Sequence, residues 1–138
     1  MTRDEASRGA LSQLSERLGA LARAAHPQLR AACRKIATGD EFALTPAELR
    51  PMDRAVASVR RASGAARIVA KALLAELGAP PGVELLRSAS RAPHWPPGFI
   101  GSLAHDSEFA VAAVAPAASI LGVGIDVEPA AAAALGFA

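Results

Sequence analysis

Two carboxylates near the end of the sequence are spaced for metal chemistry. Asp126 and Glu128 lie in the run Gly-Ile-Asp-Val-Glu. If this run forms a strand, side chains two residues apart point to the same face. Two convergent carboxylates suit a hard divalent cation such as Mg²⁺, which prefers oxygen ligands and often completes its shell with phosphates and water. The same pattern is compatible with a solvated polar face at the end of a strand.

Cations are concentrated between residues 50 and 71, where six arginines or lysines accompany one acid. Arg60, Arg67 and Lys71 are spaced by seven and four residues, which puts them on one face of a helix. Arginine grips phosphate oxygens with paired donors, so this face could bind a phosphate group, although it could also be an ordinary solvated face. Nucleic acid is a further reading, but one Trp and no Tyr leave little for base stacking. We therefore expect no nucleic-acid partner.

A histidine closes a short stretch that contains a glycine. His105 ends the run Gly-Ser-Leu-Ala-His, which begins at Gly101. A protonated histidine at a strand end can donate to a phosphate, and a glycine lets other groups approach the backbone closely. A histidine whose ring hydrogen-bonds to nearby backbone groups, and which binds no ligand, would give the same sequence.

The first two helices that must position these residues are predicted from apolar spacing. Four leucines between residues 11 and 21 recur at steps of three and four, which predicts an amphipathic helix over residues 4–25. A second, short helix is predicted over residues 29–36, ahead of a turn at Thr-Gly-Asp.

The run Thr-Pro-Ala-Glu, from Thr45 to Glu48, predicts the start of the next helix. Threonine can cap the helix, proline suits its first position, and Glu48 can reach back to the cap nitrogen. Pro51 predicts a kink or a restart near Asp53, after which apolar residues continue at helical spacing. The run Gly-Ala-Pro-Pro-Gly, which begins at Gly78, predicts the end of this long helix.

Beyond that point the apolar pattern becomes strand-like. Residues 83–86 predict a short strand, and residues 88–98, with three prolines, predict a loop. Three apolar runs predict an antiparallel meander, at residues 99–105, 109–115 and 120–128. Helices followed by strands predict an α+β fold in which one long helix packs on a small antiparallel sheet.

Composition narrows the class of protein. A length of 138 residues suits one domain, and 51% hydrophobic with 20% charged residues excludes a disordered chain. The single cysteine, Cys33, excludes an internal disulfide framework and a multi-cysteine zinc site, and it fits a reducing compartment. No apolar run approaches the ~20 residues of a membrane span, and the polar start is unlike a secretory signal. We expect a cytoplasmic protein with no membrane partner.

The order of these motifs resembles one enzyme family. Residues 93–105 contain a proline, Trp-Pro and a glycine leading into Gly-Ser-x-x-His, and Gly-Ile-Asp-x-Glu follows from Gly124. Upstream, the stretch around Arg67 looks like the family's arginine helix. Over residues 40–129 the chain resembles the N-terminal half of the Sfp-like 4′-phosphopantetheinyl transferases, the type that includes the enterobactin synthetase component.

The resemblance implies an enzyme, a holo-[acyl-carrier-protein] synthase, with Mg²⁺ as cofactor and coenzyme A (CoA) as substrate. It would move the phosphopantetheine arm of CoA to a serine of an apo acyl or peptidyl carrier protein, as in the biosynthesis of enterobactin or another siderophore. Asp126 and Glu128 would hold Mg²⁺ against the CoA pyrophosphate, and His105 would contact a CoA phosphate. The other CoA-binding residues that the resemblance implies are Arg60, Arg61, Arg67, Arg87 and Ser102.

The family has two similar halves related by a pseudo-twofold axis, and the resemblance covers only the first. The second half carries a further acidic ligand and a Trp-x-x-Lys-Glu element that activates the serine. In this sequence Trp95 is the only tryptophan and Lys71 is the last lysine, so no catalytic residue is identified. We expect a chain truncated before the second half, and its expected partners are a second copy in a homodimer or the missing half supplied in trans.

The expected organisation has three parts. Residues 1–39 form a helical N-terminal extension, residues 40–129 the half-domain, and residues 130–138 an alanine-rich tail. The alternative function is that of a non-catalytic remnant that binds CoA or is merely structural. Two residues depart from the family pattern: Ala104 stands where many members have Ser or Thr, and Asp106 adds a negative charge beside the histidine.

Overall fold

A computed structural model of the chain describes residues 2–87 and 92–127. Its elements are α1 (Arg3–Ala25), β1 (Arg30–Lys35), α2 (Pro46–Leu49), α3 (Ala57–Glu76), β2 (Phe99–His105) and β3 (Phe109–Pro116). Short 3₁₀ helices lie on either side of α2, at Asp40–Ala43 and Arg50–Met52. The predicted α+β fold, with a long helix on a small antiparallel sheet, is confirmed.

The sheet has three antiparallel strands in the order β1-β3-β2, so that β3 is its central strand. Residues 110–115 of β3 are all buried. Ala112 and Val114 pack in the cluster that includes residues of α3, whereas Ala113, on the other face, packs with Ala31 of β1 and Ala22 of α1. The two long helices therefore cover opposite faces of the sheet.

The helix predicted over residues 29–36 is wrong, because this stretch forms β1. It pairs with β3 over six residues, from Arg30 opposite Val114 to Lys35 opposite Phe109. A short isolated helix is marginal in water, whereas the strand satisfies backbone groups along the second edge of β3. Residues 1–39 thus contribute a strand of the sheet as well as a helix.

Two of the predicted strands are also wrong within the described residues. Residues 83–86 form no strand, although Arg87 makes a single bridge with Pro93. Residues 120–127 form no strand either, since the edge of β3 that a third strand of the meander would occupy is taken by β1. Glu128 and the predicted tail at residues 130–138 lie outside the described residues.

The helix α1 packs on β1 through small residues rather than through its full leucine stripe. Ser15 accepts a hydrogen bond from the backbone N–H of Cys33 at 3.1 Å, and a Cβ on Gly19 would lie 3.3 Å from the Ala31 carbonyl oxygen. Leu14 and Leu21, by contrast, are 53% and 69% exposed. The helix comes close enough to cover an edge strand, which would otherwise offer free backbone groups for pairing.

The predicted start and end of the long helical region are confirmed. The Thr45 side chain caps α2, the Glu48 side chain reaches back to the cap N–H, and α3 resumes after Pro51. Gly78 has φ +88, and the N–H of the next residue, Ala79, reaches the Leu74 carbonyl at 2.9 Å. No helix in the described part of the chain is long and apolar enough to cross a membrane.

Candidate functional site

Arg67, the centre of the predicted phosphate-binding face, is buried. Its side chain is only 4% exposed and lies beside the Glu48 carboxylate, with 3.6 Å between Arg67 Nε and Glu48 Oε2. Its guanidinium donates to the Leu85 carbonyl at 2.9 Å and to the carbonyl and hydroxyl oxygens of Ser63. The donors of Arg67 thus face the interior of the protein.

Glu48 is the other half of this buried pair, with a side chain that is fully buried. Its oxygens accept the backbone N–H groups of Thr45 at 2.9 Å and Leu85 at 2.7 Å, and the Lys71 ammonium at 3.0 Å. Burial raises the pKa of the Glu48 carboxyl, but these three donors outweigh it and hold the pKa below its usual value. One carboxylate therefore joins α2, α3 and the segment around Leu85.

Arg60 and Arg61 lie at the beginning of α3, a turn or more before Arg67. The Arg60 guanidinium donates to the Ala55 carbonyl, and Arg61 Nε is 3.2 Å from a carboxylate oxygen of Glu41. Both side chains are part-buried in these contacts. Each arginine has further donors, so both can still meet a phosphate from the solvent side.

Arg87 is exposed and stands two residues beyond Leu85. The pKa of the Arg67 guanidinium is below its usual value, chiefly because the group is buried. The Glu48 carboxylate acts to raise this pKa, and the positive charge of Arg87 acts to lower it. Arg67 is thus bonded to Leu85, two residues before Arg87, and is buried, whereas Arg87 lies at the surface. Of the pair, Arg87 is the one that an anion in solvent can reach.

The Trp-Pro motif packs against the strand that carries the predicted phosphate ligands. The N–H of His94 donates to the Leu86 carbonyl at 2.7 Å, which holds this loop to the segment that ends at Arg87. A Cβ on Gly101 would lie 2.7 Å from the ring of Trp95, so the absence of a side chain lets the indole lie directly on β2. This contact explains why the tryptophan and the glycine occur together.

Ser102 ties the acidic segment to β2. Its hydroxyl accepts the N–H of Ile125 at 3.3 Å, and Ile125 packs with Val123 against the cluster between α1 and the sheet. The next residue, Asp126, is exposed, and one of its carboxylate oxygens accepts the N–H of Val127 at 2.8 Å. An exposed carboxylate with a second oxygen facing solvent fits a hard cation.

His105 lies at the far end of β2 and is exposed. It pairs with Ala110, which packs against Ala65 and Ala66 of α3, so His105 lies beside the N-terminal half of that helix. Its neighbour Asp106 has a structural task, because its carboxylate accepts the backbone N–H groups of residues 108 and 109 in the β2–β3 turn. The hydrogen bonds from these N–H groups lower the pKa of the Asp106 carboxyl.

The structure divides the predicted site residues between two faces of the sheet. Ser102 pairs with Ala113 on the α1 face, and the acidic segment follows it there, whereas His105 pairs with Ala110 on the α3 face. Because these two residues are three apart on one strand, about 10 Å separates them along β2. Among residues 2–87 and 92–127, no three His, Cys, Asp or Glu side chains come together as a metal site.

Sequence reasoning missed the second role of Glu48. The capping motif identified this residue as the partner of the Thr45 N–H, but gave no sign of its contacts with α3 and Leu85. One signal was present: Arg67 lies between the apolar residues Ala66 and Val69 of α3, which are both buried. A cation among core positions indicates a buried partner.

Comparison with known proteins identifies the family. A sequence model described as the 4′-phosphopantetheinyl transferase N-terminal domain matches residues 46–115, half of the chain. The chain is 43% identical over 86 residues to 4′-phosphopantetheinyl transferase Svp of Streptomyces mobaraensis, covering 62% of this chain and 35% of that protein. It is 42% identical over 84 residues to 4′-phosphopantetheinyl transferase Npt of Nocardia iowensis, covering 61% and 37%.

The chain spans about a third of the length of these curated relatives. The family match runs from the first residue of α2 to the end of the central strand, and so includes Glu48, Arg67 and the strand that carries Ser102 and His105. On this match, the chain belongs to the 4′-phosphopantetheinyl transferase N-terminal domain family.

Proposed function

We propose that this chain forms the CoA-binding half of a 4′-phosphopantetheinyl transferase that modifies a carrier protein. One observation carries the proposal: the Ser102–Ile125 hydrogen bond brings an exposed carboxylate, Asp126, to the strand that ends in His105. A carboxylate that could hold a metal and a histidine that could meet a phosphate are thus both connected to β2, on opposite faces of the sheet.

The cations near α3 suit the phosphates of CoA. We assign Arg60, Arg61 and Arg87 to phosphate contacts, because each has guanidinium donors available from the solvent side. By resemblance, Ser102 and His105 are assigned to the same ligand, although they lie on opposite faces of β2. The 3′-phosphate is the group that CoA has and dephospho-CoA lacks, so arginines that bind it would favour CoA over dephospho-CoA.

We assign Asp126 and Glu128 as the carboxylates that would hold Mg²⁺. When bound, the ion would neutralise charge on the pyrophosphate as the leaving group departs. The chain's own contribution is to hold the Asp126 backbone in place, through Ser102 and through the packing of Val123 and Ile125. A carboxylate on a fixed backbone loses less conformational freedom when it takes up the ion.

The proposed reaction transfers a substituted phosphoryl group. The hydroxyl of a carrier-protein serine attacks the phosphorus that bears the pantetheine arm, and the bond from that phosphorus to the bridging oxygen of adenosine 3′,5′-bisphosphate breaks. The serine proton passes to a general base, and the products are a phosphodiester on the carrier and the free bisphosphate. By resemblance, the lysine and glutamate that assist belong to the second half of the family fold. We also propose a cytoplasmic location, because a single cysteine fits a reducing compartment.

Intact-mass spectrometry of an apo carrier protein incubated with CoA, Mg²⁺ and this chain tests the proposal. When the second half of the family fold is present, we expect a mass gain equal to the phosphopantetheine arm, lost in the double variant Asp126→Ala/Glu128→Ala. The control variant Asp53→Ala/Glu76→Ala removes two exposed acids elsewhere and should leave the gain unchanged.

Other outcomes would separate the alternatives. CoA binding without any gain in mass would favour the second candidate, a half-domain that binds CoA and does not itself catalyse transfer. Neither binding nor transfer, from a sample shown to be folded, would contradict both.

A further inference from the structure

The peptide groups of Leu85 are held by two side chains instead of a neighbouring strand. Glu48 accepts the Leu85 N–H at 2.7 Å, and Arg67 donates to the Leu85 carbonyl at 2.9 Å. The Leu85 side chain is fully buried in the core beside Leu74 and Val114. The buried ion pair thus does for this residue what a strand partner does in a sheet.

This clasp of Glu48 and Arg67 on the Leu85 peptide groups fixes the backbone just ahead of Arg87. The following residue, Leu86, accepts the His94 N–H at 2.7 Å, and Arg87 itself bridges with Pro93. Contacts therefore hold the segment on both sides, from α3 through Arg67 and from the Trp-Pro loop through His94. Arg87 projects from a backbone with little freedom to move.

The clasp residues themselves are buried away from a ligand on the solvent side. The side chains of Arg67 and Glu48 are 4% and 0% exposed, and their contacts are to each other and to groups within the protein. Pulling one of them out to meet a phosphate would leave its partner as an uncompensated buried charge, which is strongly unfavourable. Arg87 has no such constraint.

We infer that Glu48 and Arg67 are positioning residues, which clasp the Leu85 backbone and thereby aim Arg87 at a phosphate of the ligand. The inference rests on the proposed function for the identity of that ligand, but the clasp can be tested without it. It changes the role expected for Arg67 from phosphate contact to support for the residue that makes the contact.

Hydrogen exchange of the chain alone tests the clasp. In Glu48→Gln, which is nearly isosteric but uncharged, we expect the amides of residues 85–87 to exchange about tenfold faster or more, as loss of one charge-assisted hydrogen bond implies. The amides of β2 and β3 should keep their rates. The control Glu76→Gln, in the exposed last turn of α3, should leave residues 85–87 unchanged.

A second variant covers the case in which Glu48→Gln does not fold. Arg67→Lys keeps a cation beside Glu48 but lacks the planar guanidinium that reaches both Leu85 and Ser63. We expect the same local increase in exchange. Unchanged exchange at residues 85–87 in the folded variants, or an equal increase throughout the sheet, would overturn the clasp.

Calorimetric titration with adenosine 3′,5′-bisphosphate tests the link to Arg87. We expect Arg87→Gln and Glu48→Gln each to weaken binding by about tenfold, and the double variant to bind no more weakly than Arg87→Gln alone. Losses that multiply in the double variant would overturn the link, because Glu48 would then act independently of Arg87. No binding by the wild-type chain would contradict the proposed function, while the exchange experiment would still decide on the clasp.

Discussion

At Gly64, helix α3 lies in close contact with the backbone of Asp40, and replacement of this glycine by alanine gives a quantitative test of the fold. A Cβ at this position would lie 1.9 Å from the carbonyl oxygen of Asp40 and 2.7 Å from its carbonyl carbon. Both atoms are backbone, so no side-chain rotation relieves the clash. Ordinary contact begins near 3.4 Å, and α3 would therefore have to move away from the Asp40–Ala43 turn by about 1.5 Å.

Two opposing effects determine how much Gly64→Ala changes the free energy of unfolding. In a helix interior, alanine is favoured over glycine by about 1 kcal/mol, whereas forcing extra volume into a packed contact typically costs about 1–3 kcal/mol. The displaced turn also contains Asp40, which is buried and paired with Arg34 at 2.7 Å. We therefore expect Gly64→Ala to lower the free energy of unfolding by about 2 kcal/mol or more.

The other two helical glycines provide a matched series. A Cβ on Gly9 meets no atom within 4 Å, so Gly9→Ala should raise the free energy of unfolding by up to about 1 kcal/mol. A Cβ on Gly19 would lie 3.3 Å from the Ala31 carbonyl oxygen, so Gly19→Ala should fall between the two. Urea unfolding followed by circular dichroism measures all three. A Gly64→Ala variant as stable as Gly9→Ala would refute the close contact between α3 and the Asp40–Ala43 turn.

Three further predictions follow from the contacts of single side chains. In Gly101→Ala the new Cβ would lie 2.5 Å from the Ala113 carbonyl oxygen and 2.7 Å from the Trp95 ring, so we expect both the β2–β3 pairing and the packing of the indole to be disturbed. The emission of the only tryptophan should shift to longer wavelength, whereas the control Gly122→Ala, at an open position, should leave the emission unchanged. The folded-state pKa of Glu48 is below its unfolded value, so its contribution to stability is present at neutral pH and is lost as the pH falls through the folded pKa. Glu48→Gln should therefore flatten the dependence of unfolding on pH below about 5, and a slope equal to that of the wild type would contradict the assignment. Asp106→Ala should cost about 1 kcal/mol by leaving two turn N–H groups without their acceptor, and Asp106→Asn, which keeps an acceptor oxygen, should cost less in the same urea experiment.

Features set by near neighbours in the sequence could be predicted. The cap at Thr45, the interruption at Pro51 and the stop at Gly78 each depend on residues within one or two turns, and all three predictions are confirmed. Strands β2 and β3 were predicted to within one residue, because a short turn separates two runs with strong apolar character. In these cases local chemistry and the final fold agree.

Features that depend on distant partners could not be predicted. Residues 30–35 have no strong preference for a strand, and they become one because β3 has a second edge to satisfy. Leu14 and Leu21 repeat at the spacing of a buried stripe, yet α1 packs through Ser15 and Gly19, which allow a closer approach. Propensity and periodicity describe one element at a time, whereas these outcomes depend on pairs of elements.

The candidate site, too, could be predicted from the sequence only in part. The residue types were identified from motifs, but the burial of Arg67 depends on Glu48, which is 19 residues earlier and belongs to another helix. The position of Asp126 was predicted from a strand that does not form, and the observed anchor is a hydrogen bond from the Ile125 backbone N–H to the Ser102 hydroxyl. A motif therefore names candidates, and only the packing decides which of them face solvent.

The most direct test of the proposed function is a calorimetric titration of the chain with CoA, with and without Mg²⁺. We expect that CoA binds, that Mg²⁺ strengthens the binding, and that Asp126→Ala/Glu128→Ala removes the effect of Mg²⁺ while Asp53→Ala/Glu76→Ala does not. Absence of CoA binding by the folded chain, or a Mg²⁺ effect that survives loss of both carboxylates, would contradict the proposed function.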